Sequence, residues 1–122
     1  MTYHGRFKFL RTKSPEAVNV VPHWIHPRFI YIDASHQYEH VVKDLRAWWQ
    51  KLEPDGVLAG HDFHEDHKGV VRAVTEFAKD HDLTVRLTDK DHVPSWYIYK
   101  TEPETLHLRY FTEREEPNQC VL

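Results

Sequence analysis

The chain has 122 residues, enough for one domain with a single modest core. Its formal net charge of −3 excludes a broad basic surface for nucleic acid or anionic lipid, and no apolar run approaches the roughly 20 residues that cross a bilayer. The single cysteine, Cys120, excludes an internal disulfide and is typical of a reducing compartment. We therefore expect a soluble, cytoplasmic domain that binds neither nucleic acid nor a membrane.

The first third of the chain predicts a strand, a short helix and a buried strand. Residues 7–10 (FKFL) indicate the first strand. Residues 14–16 (SPE) are typical of a helix start, with a hydroxyl N-cap, a proline at the first helical position and an acid in the first turn. The continuous apolar run at residues 29–32 is typical of a strand that is buried on both faces.

The middle and later segments predict two helices, another buried strand and a hairpin. Apolar side chains recur at helical spacing over residues 38–52 and again over residues 70–78. Residues 56–60 form a second buried strand between these helices. Residues 83–87 and 96–99 are typical of a closing antiparallel hairpin.

The order of these elements predicts the fold class. Alternation of strands and helices is typical of an α/β domain with a mainly parallel sheet and helices on both faces. We expect this domain to occupy residues 1–100. The remaining residues, 101–122, are predominantly polar and are expected to form a carboxyl-terminal extension.

Two of the predicted strands are followed by residues whose side chains could bind a metal ion. Asp33 follows one buried strand, and His61 and Asp62 follow the next. The ends of neighbouring parallel strands lie about 5 Å apart at one edge of a sheet, so these three side chains should converge. A divalent cation such as Mg²⁺ would relieve the repulsion between the two carboxylates. Alternatively, both acids cap the following helices or form local salt bridges.

Further histidines are open to more than one interpretation. His36 lies just past Asp33, where it would act as a general base, orient a substrate hydroxyl, or serve only as a helix cap or surface residue. Residues 61–67 (HDFHEDH) invite comparison with the HxHxDH motif of metallo-β-lactamase-like hydrolases. Two residues separate the first two histidines here, where that motif has one, so a metal-dependent hydrolase is the weaker hypothesis.

Several segments together resemble one known family. They are residues 31–39 (YIDASHQYE), 43–52 (KDLRAWWQKL) and 54–63 (PDGVLAGHDF), followed by GVVRAV at residues 69–74. Their joint spacing is similar to that of the class I SAM-dependent methyltransferases of the sugar and small-molecule O-methyltransferase type, often grouped as methyltransferase family 24. The resemblance implies a Rossmann-like fold in which this chain lacks the first two strands and begins with the third, at residues 6–10.

The resemblance also implies a set of site residues. Ser14 and Asp33 would contact the cofactor S-adenosyl-L-methionine (SAM). By their position at the crevice, rather than by the resemblance, Asp33 and His36 are the candidate catalytic residues for a hydroxyl of a small molecule or sugar. Asp33, His61 and Asp62 would occupy the metal positions of those members that use Mg²⁺.

The same resemblance implies an incomplete cofactor site. The strand and glycine loop that hold SAM in the family would lie before Tyr3. We therefore expect a domain that is inactive alone or active only in an assembly, in which a homodimer partner or a complementary amino-terminal half covers the exposed sheet edge. The alternative is a non-catalytic dimeric binding module.

Overall fold

The chain alternates between helices and strands in the computed structural model, which describes Gly5 and residues 8–88 and 93–103. In chain order the elements are α1 (Ser14–Val20), β1 (Phe29–Ile32), α2 (Tyr38–Lys51), β2 (Val57–Gly60), α3 (Lys68–Asp80), β3 (Arg86–Leu87) and β4 (Trp96–Tyr99). A short 3₁₀ turn, Glu65–His67, precedes α3. No helix in these described ranges has the length and apolar character needed to span a membrane.

The strands form one four-stranded sheet in the order β1-β2-β4-β3. Strands β1 and β2 are parallel neighbours, with Ile32 opposite Gly60. Strand β4 runs antiparallel to both β2 and β3, so Gly60 also lies opposite Trp96. The predicted α/β class and the closing antiparallel hairpin are thereby confirmed. Between the described strands the sheet is mixed, with one parallel pair and two antiparallel pairs.

The strand predicted at residues 6–10 falls partly outside the described residues, because Arg6 and Phe7 are not among them. Lys8 forms an isolated bridge, and Phe9 and Leu10 have no regular structure. The side chain of Phe9 is exposed, so its aromatic character does not mark a core strand here. The extension predicted beyond residue 100 lies largely outside the described part of the chain, and that domain boundary stays a prediction.

The hydrophobic core lies between the sheet and the helices α2 and α3. Its buried members are Ile32, Val41, Leu45, Leu52, Leu58, Val70, Ala73, Val74, Phe77, Ala78, Trp96 and Ile98. Full burial of one large apolar side chain contributes about 1.5–3 kcal/mol, so this cluster is the main source of stability. The prediction that residues 29–32 are buried on both faces is wrong, because alternate positions of β1 point away from the core and Phe29 and Tyr31 are 62% and 45% exposed. Helical cover on both faces stays a prediction.

Two glycines allow the close approaches that shape one end of the sheet. A Cβ at Gly60 would lie 2.6 Å from the Ile32 carbonyl oxygen and from the Trp96 ring. A Cβ at Gly69 would lie 2.5 Å from the carbonyl oxygen of His36 and 2.8 Å from the amide nitrogen of Tyr38. Glycine at position 69 therefore lets the first turn of α3 pack directly against the loop that carries His36.

Candidate functional site

Functional side chains meet where β1 and β2 end. Because the two strands are parallel neighbours, Asp33 after β1 and His61 and Asp62 after β2 emerge at the same sheet edge. One potential ligand atom from each of these three residues lies within 4.8 Å of the others. The sequence prediction named these three residues together, and the structure brings them together.

Asp62 lies at the centre of a cluster of imidazoles. Its carboxylate is 2.5 Å from His36 Nε2, 3.0 Å from His61 Nδ1 and 3.7 Å from His67 Nε2. The Asp62 side chain is 13% exposed, whereas that of His36 is 49% exposed. We call Asp62, His36, His61 and His67 the Asp62 cluster. Among the ion pairs of the described residues, the partners of Asp62 are these three histidines.

The backbone holds Asp62 in an uncommon conformation. Its φ of 62° lies in the left-handed region, which a non-glycine residue adopts at a cost of about 1–2 kcal/mol. Adjacent hydrogen bonds fix this turn: His61 N–H donates to the Ile32 carbonyl at 3.2 Å, and Phe63 N–H donates to the Pro94 carbonyl at 3.1 Å. Strain of this kind persists where the surrounding structure determines it, and it is common at functional sites.

His67 is the member of the Asp62 cluster that sequence reasoning did not place in the methyltransferase site. Its ring lies 4.1 Å, centroid to centroid, from the ring of His36. Gly69 is the sequence feature that could have indicated the role of His67, since that glycine allows the start of α3 to pack against the loop that carries His36. His64, which the hydrolase hypothesis uses, accepts a hydrogen bond from the Asp66 amide instead and caps the 3₁₀ turn.

A cavity of about 500 Å³ opens beside this cluster. It lies between the start of α1, the loop after β1 and the first half of α2, and is lined by Thr12, Lys13, Ser14, Pro15, Glu16, Ala34, Ser35, His40, Lys43 and Asp44. Asp33 lines a small neighbouring crevice together with His36, His61 and Asp62. Ala34 and Ser35 border both spaces, so the cavity and the Asp62 cluster adjoin through these two residues.

Ser14 and Asp44 form a polar wall of the cavity. The Trp48 indole donates to Ser14 Oγ at 3.0 Å, and the Ser14 hydroxyl is hydrogen-bonded to the Asp44 carboxylate. Asp44 is 2% exposed, and its Oδ1 has no hydrogen-bond partner in the described ranges. Burial raises the pKa of Asp44 above its usual value, while the bond from Ser14 lowers it. A buried acceptor without a partner is costly unless a ligand supplies the donor.

The predicted N-cap role of Ser14 is wrong. Helix α1 begins at Ser14 itself, and Lys13 occupies the cap position without a side-chain cap bond. The Ser14 hydroxyl is instead part of the contact with Trp48 and Asp44. Sequence spacing could not show this, because the partners lie 30 or more residues away on α2.

The donor set at the sheet edge does not fit a magnesium site. Magnesium requires near-octahedral oxygen ligation. Asp33 and Asp62 offer carboxylates, but His61 offers nitrogen, and both oxygens of Asp62 already contact imidazoles.

The fold and the position of the site indicate the class of domain that the chain forms. A β1-α2-β2 unit closed by an antiparallel hairpin, with polar residues and a cavity at the strand ends, is the arrangement of a class I methyltransferase-like domain. The family model described as "Methyltransferase domain" matches residues 1–63 of the 122, and the chain belongs to this family.

Solved structures agree on the fold. CalS11, a TDP-rhamnose 3'-O-methyltransferase of calicheamicin biosynthesis in its apo form, aligns with a TM-score of 0.57 and 17% identity. A Streptococcus mutans protein assigned to the methyltransferases and solved in complex with SAH aligns with a TM-score of 0.52 and 19% identity. The alignments cover 72% and 70% of this chain, but only 37% and 56% of those proteins. No curated protein matches the chain.

Proposed function

We propose that the chain forms the carboxyl-terminal portion of a SAM-dependent O-methyltransferase that acts on a hydroxyl of a small molecule or sugar. The observation that carries the proposal is the pair of adjoining spaces at the ends of β1 and β2. One is a cavity with a buried acceptor that has no hydrogen-bond partner among the described residues, and the other is a crevice with an imidazole–carboxylate pair. Family membership supports methyl transfer as the reaction, whereas the hydroxyl acceptor is our inference from the crevice.

The cavity has features suited to the adenosine part of SAM. A volume of about 500 Å³ is within the usual range of small-molecule sites. Asp44 Oδ1 would accept from the adenine amino group, and Ser14 would position Asp44 through its hydroxyl. Asp33, in the neighbouring crevice, would lie toward the part of the cofactor that carries the reacting group. When bound, SAM would supply an electrophilic methyl group on its sulfonium, and transfer of that group would break the carbon–sulfur bond and leave the neutral thioether SAH.

The pair of His36 and Asp62 is suited to removing the proton of an acceptor hydroxyl. The contact of His36 Nε2 with Asp62 Oδ2 fixes the ring, and with the proton on Nε2 it leaves Nδ1 free to accept. The His36 side chain is half exposed, so an acceptor can reach it. The hydroxyl proton would pass to His36 Nδ1 as the oxygen takes the methyl group. Asp62 stabilises the resulting imidazolium.

Calorimetric titration with S-adenosylhomocysteine (SAH) tests the cofactor half of the proposal. We expect binding to the full chain and about tenfold weaker binding to Asp33→Asn, which loses a charge beside the cavity. The matched control is Asp55→Asn, because Asp55 is an exposed-loop acid that pairs with Arg28 at the opposite end of the sheet. Absence of binding to the unaltered chain, or an equal loss in both variants, would contradict the proposal.

A second candidate is a non-catalytic dimeric binding module, and the exposed aromatic side chains of β1 favour it. Phe29 and Tyr31 stack at 6.3 Å on the edge strand of the described sheet and remain open to solvent. A homodimer partner or a complementary amino-terminal half would bury them. The two candidates are compatible if the partner completes the cofactor site.

A further inference from the structure

We infer that His36, Asp62 and His67 form a binding site for a divalent transition metal of borderline softness, with zinc as the type case. The residues lie on three separate segments: the loop after β1, the loop after β2 and the 3₁₀ turn before α3. One potential ligand atom from each lies within 4.8 Å of the other two. The site differs from the Asp33, His61 and Asp62 positions that the family resemblance implies for magnesium.

The chemistry of the donors selects the metal. Two neutral imidazoles and one carboxylate suit zinc, cobalt, nickel or iron, whereas magnesium and calcium prefer oxygen alone. Three protein ligands with an open fourth position are also the usual composition of a reactive zinc site. His36 leaves that position accessible, because its side chain is 49% exposed.

The distances are close to those of a tetrahedral site. With zinc–nitrogen bonds of about 2.0–2.1 Å, neighbouring donor atoms stand about 3.3 Å apart. His36 Nε2 and His67 Nε2 lie 2.5 Å and 3.7 Å from oxygens of Asp62, one shorter and one longer than that spacing. Zinc binding would therefore require rotation of the half-exposed His36 ring and of the His67 ring to bring both distances to that spacing.

The backbone around the three proposed ligand residues is held in place without a metal. Asp62 is held in its left-handed conformation by the hydrogen bonds of its neighbours. Gly69 fixes the separation between the His36 loop and the start of α3, where His67 lies. His61 Nδ1 contacts the same carboxylate at 3.0 Å and would orient it from outside the metal's ligand set.

The charges around Asp62 also favour the binding of a cation. Among residues 8–88 and 93–103, the ion-pair partners of Asp62 are imidazoles, and no lysine or arginine side chain is among them. A divalent ion would neutralise the carboxylate while both imidazoles remain neutral ligands. Metal binding would engage the same His36 nitrogen that contacts Asp62, so it would change the proton-accepting role proposed above. The metal site itself does not depend on that role.

The decisive test uses the purified full chain after treatment with a chelator. Titration with Zn²⁺ should show one site, and Co²⁺ should give the intense visible absorption of a four-coordinate site. His67→Asn should weaken Zn²⁺ binding by about tenfold or more, since even the loss of a residue that only orients a metal ligand costs about 10–100-fold in affinity. The matched control, His64→Asn, removes an imidazole from the same loop but keeps an N-cap acceptor, and should bind Zn²⁺ unchanged.

Two further measurements separate this site from its neighbour and from a folding defect. Asp33→Asn should weaken Zn²⁺ binding less than His67→Asn does, because Asp33 contributes a nearby negative charge but is not a proposed ligand. In the unaltered chain, Zn²⁺ but not Mg²⁺ should raise the melting temperature, as binding to the folded state requires. The inference is overturned by no zinc binding, by an octahedral cobalt spectrum, or by a loss with Asp33→Asn that exceeds the loss with His67→Asn.

Discussion

Asp44 places an ionisable carboxyl at the edge of the core, where one of its oxygens has no hydrogen-bond partner among the described residues. Burial is the main cause of its raised pKa. Because the folded-state pKa exceeds the ordinary value of 3.8, this group favours folding fully below that value. That contribution is lost as the pH rises through the folded-state pKa. Near neutral pH the chain therefore carries a buried charge that opposes folding.

Asp44→Asn should raise the free energy of unfolding near neutral pH by about 1 kcal/mol, since it removes a desolvated charge. Urea denaturation measures the effect, and the gain should disappear as the pH falls toward 3.8. The same variant should weaken SAH binding. In Asp44→Asn the amide NH₂ group can occupy the position of the carboxylate oxygen that is proposed to accept a hydrogen bond from adenine, and an NH₂ group cannot accept one. A variant that is less stable than the parent near neutral pH would contradict this prediction, since it would show that other groups stabilise the charged Asp44 carboxylate in the folded chain.

At the scale of elements, the end of α2 is held by a lysine from the closing hairpin. Lys100 Nζ donates to the carbonyl oxygens of Trp49 and Leu52, each at 2.7 Å, and lies 5.2 Å from the centre of the Trp49 ring. Burial lowers the pKa of Lys100. The terminal carbonyls of a helix have no partners within the helix, so this side chain links α2 to β4.

Lys100→Met should lower the free energy of unfolding by about 1–3 kcal/mol, because two carbonyls lose a charged donor. The control is Lys79→Met: Lys79 lies in the last turn of α3 but is exposed, so it reports the helix-dipole effect alone. Thermal unfolding of the two variants measures the difference. Equal, small losses would mean that the Lys100 hydrogen bonds contribute little.

The elements also show what sequence pattern can and cannot predict. The helices predicted at residues 38–52 and 70–78 correspond to Tyr38–Lys51 and Lys68–Asp80, because apolar periodicity records which face is buried. The convergence at Asp33, His61 and Asp62 followed from strand order. Asp44 and His67 were missed as site residues because their roles depend on tertiary contacts with Ser14 and His36 that no spacing encodes.

In the molecule as a whole, one face of the sheet is partly exposed among the described residues: Phe29 and Tyr31 are exposed, whereas Ala59 is buried. Phe29, Val57 and Tyr99 lie opposite one another in register, and so do Tyr31, Ala59 and Tyr97. This places an aromatic surface on the side of the sheet away from Ile32 and Ile98. Exposed apolar surface of this kind is typical of a binding interface.

Phe29→Ser should weaken self-association of the chain by about tenfold, since it removes a large exposed aromatic group from that surface. Sedimentation equilibrium measures the effect. Leu87→Ser is the control, because Leu87 is 40% exposed on the strand at the opposite edge. A chain that stays monomeric at every concentration would contradict the homodimer and leave the complementary half as the proposed partner.

An NMR titration with SAH shows whether a cofactor cavity adjoins the Asp62 cluster. The Trp48 indole N–H reports on the cavity because it donates to Ser14. Trp24 serves as the internal reference, since it is 69% exposed and does not line the cavity. We predict that SAH shifts the Trp48 indole signal and the amide signals of Ala34 and Ser35, and leaves Trp24 unchanged. Shifts confined to other surfaces, or no shifts, would show that SAH does not bind in this cavity.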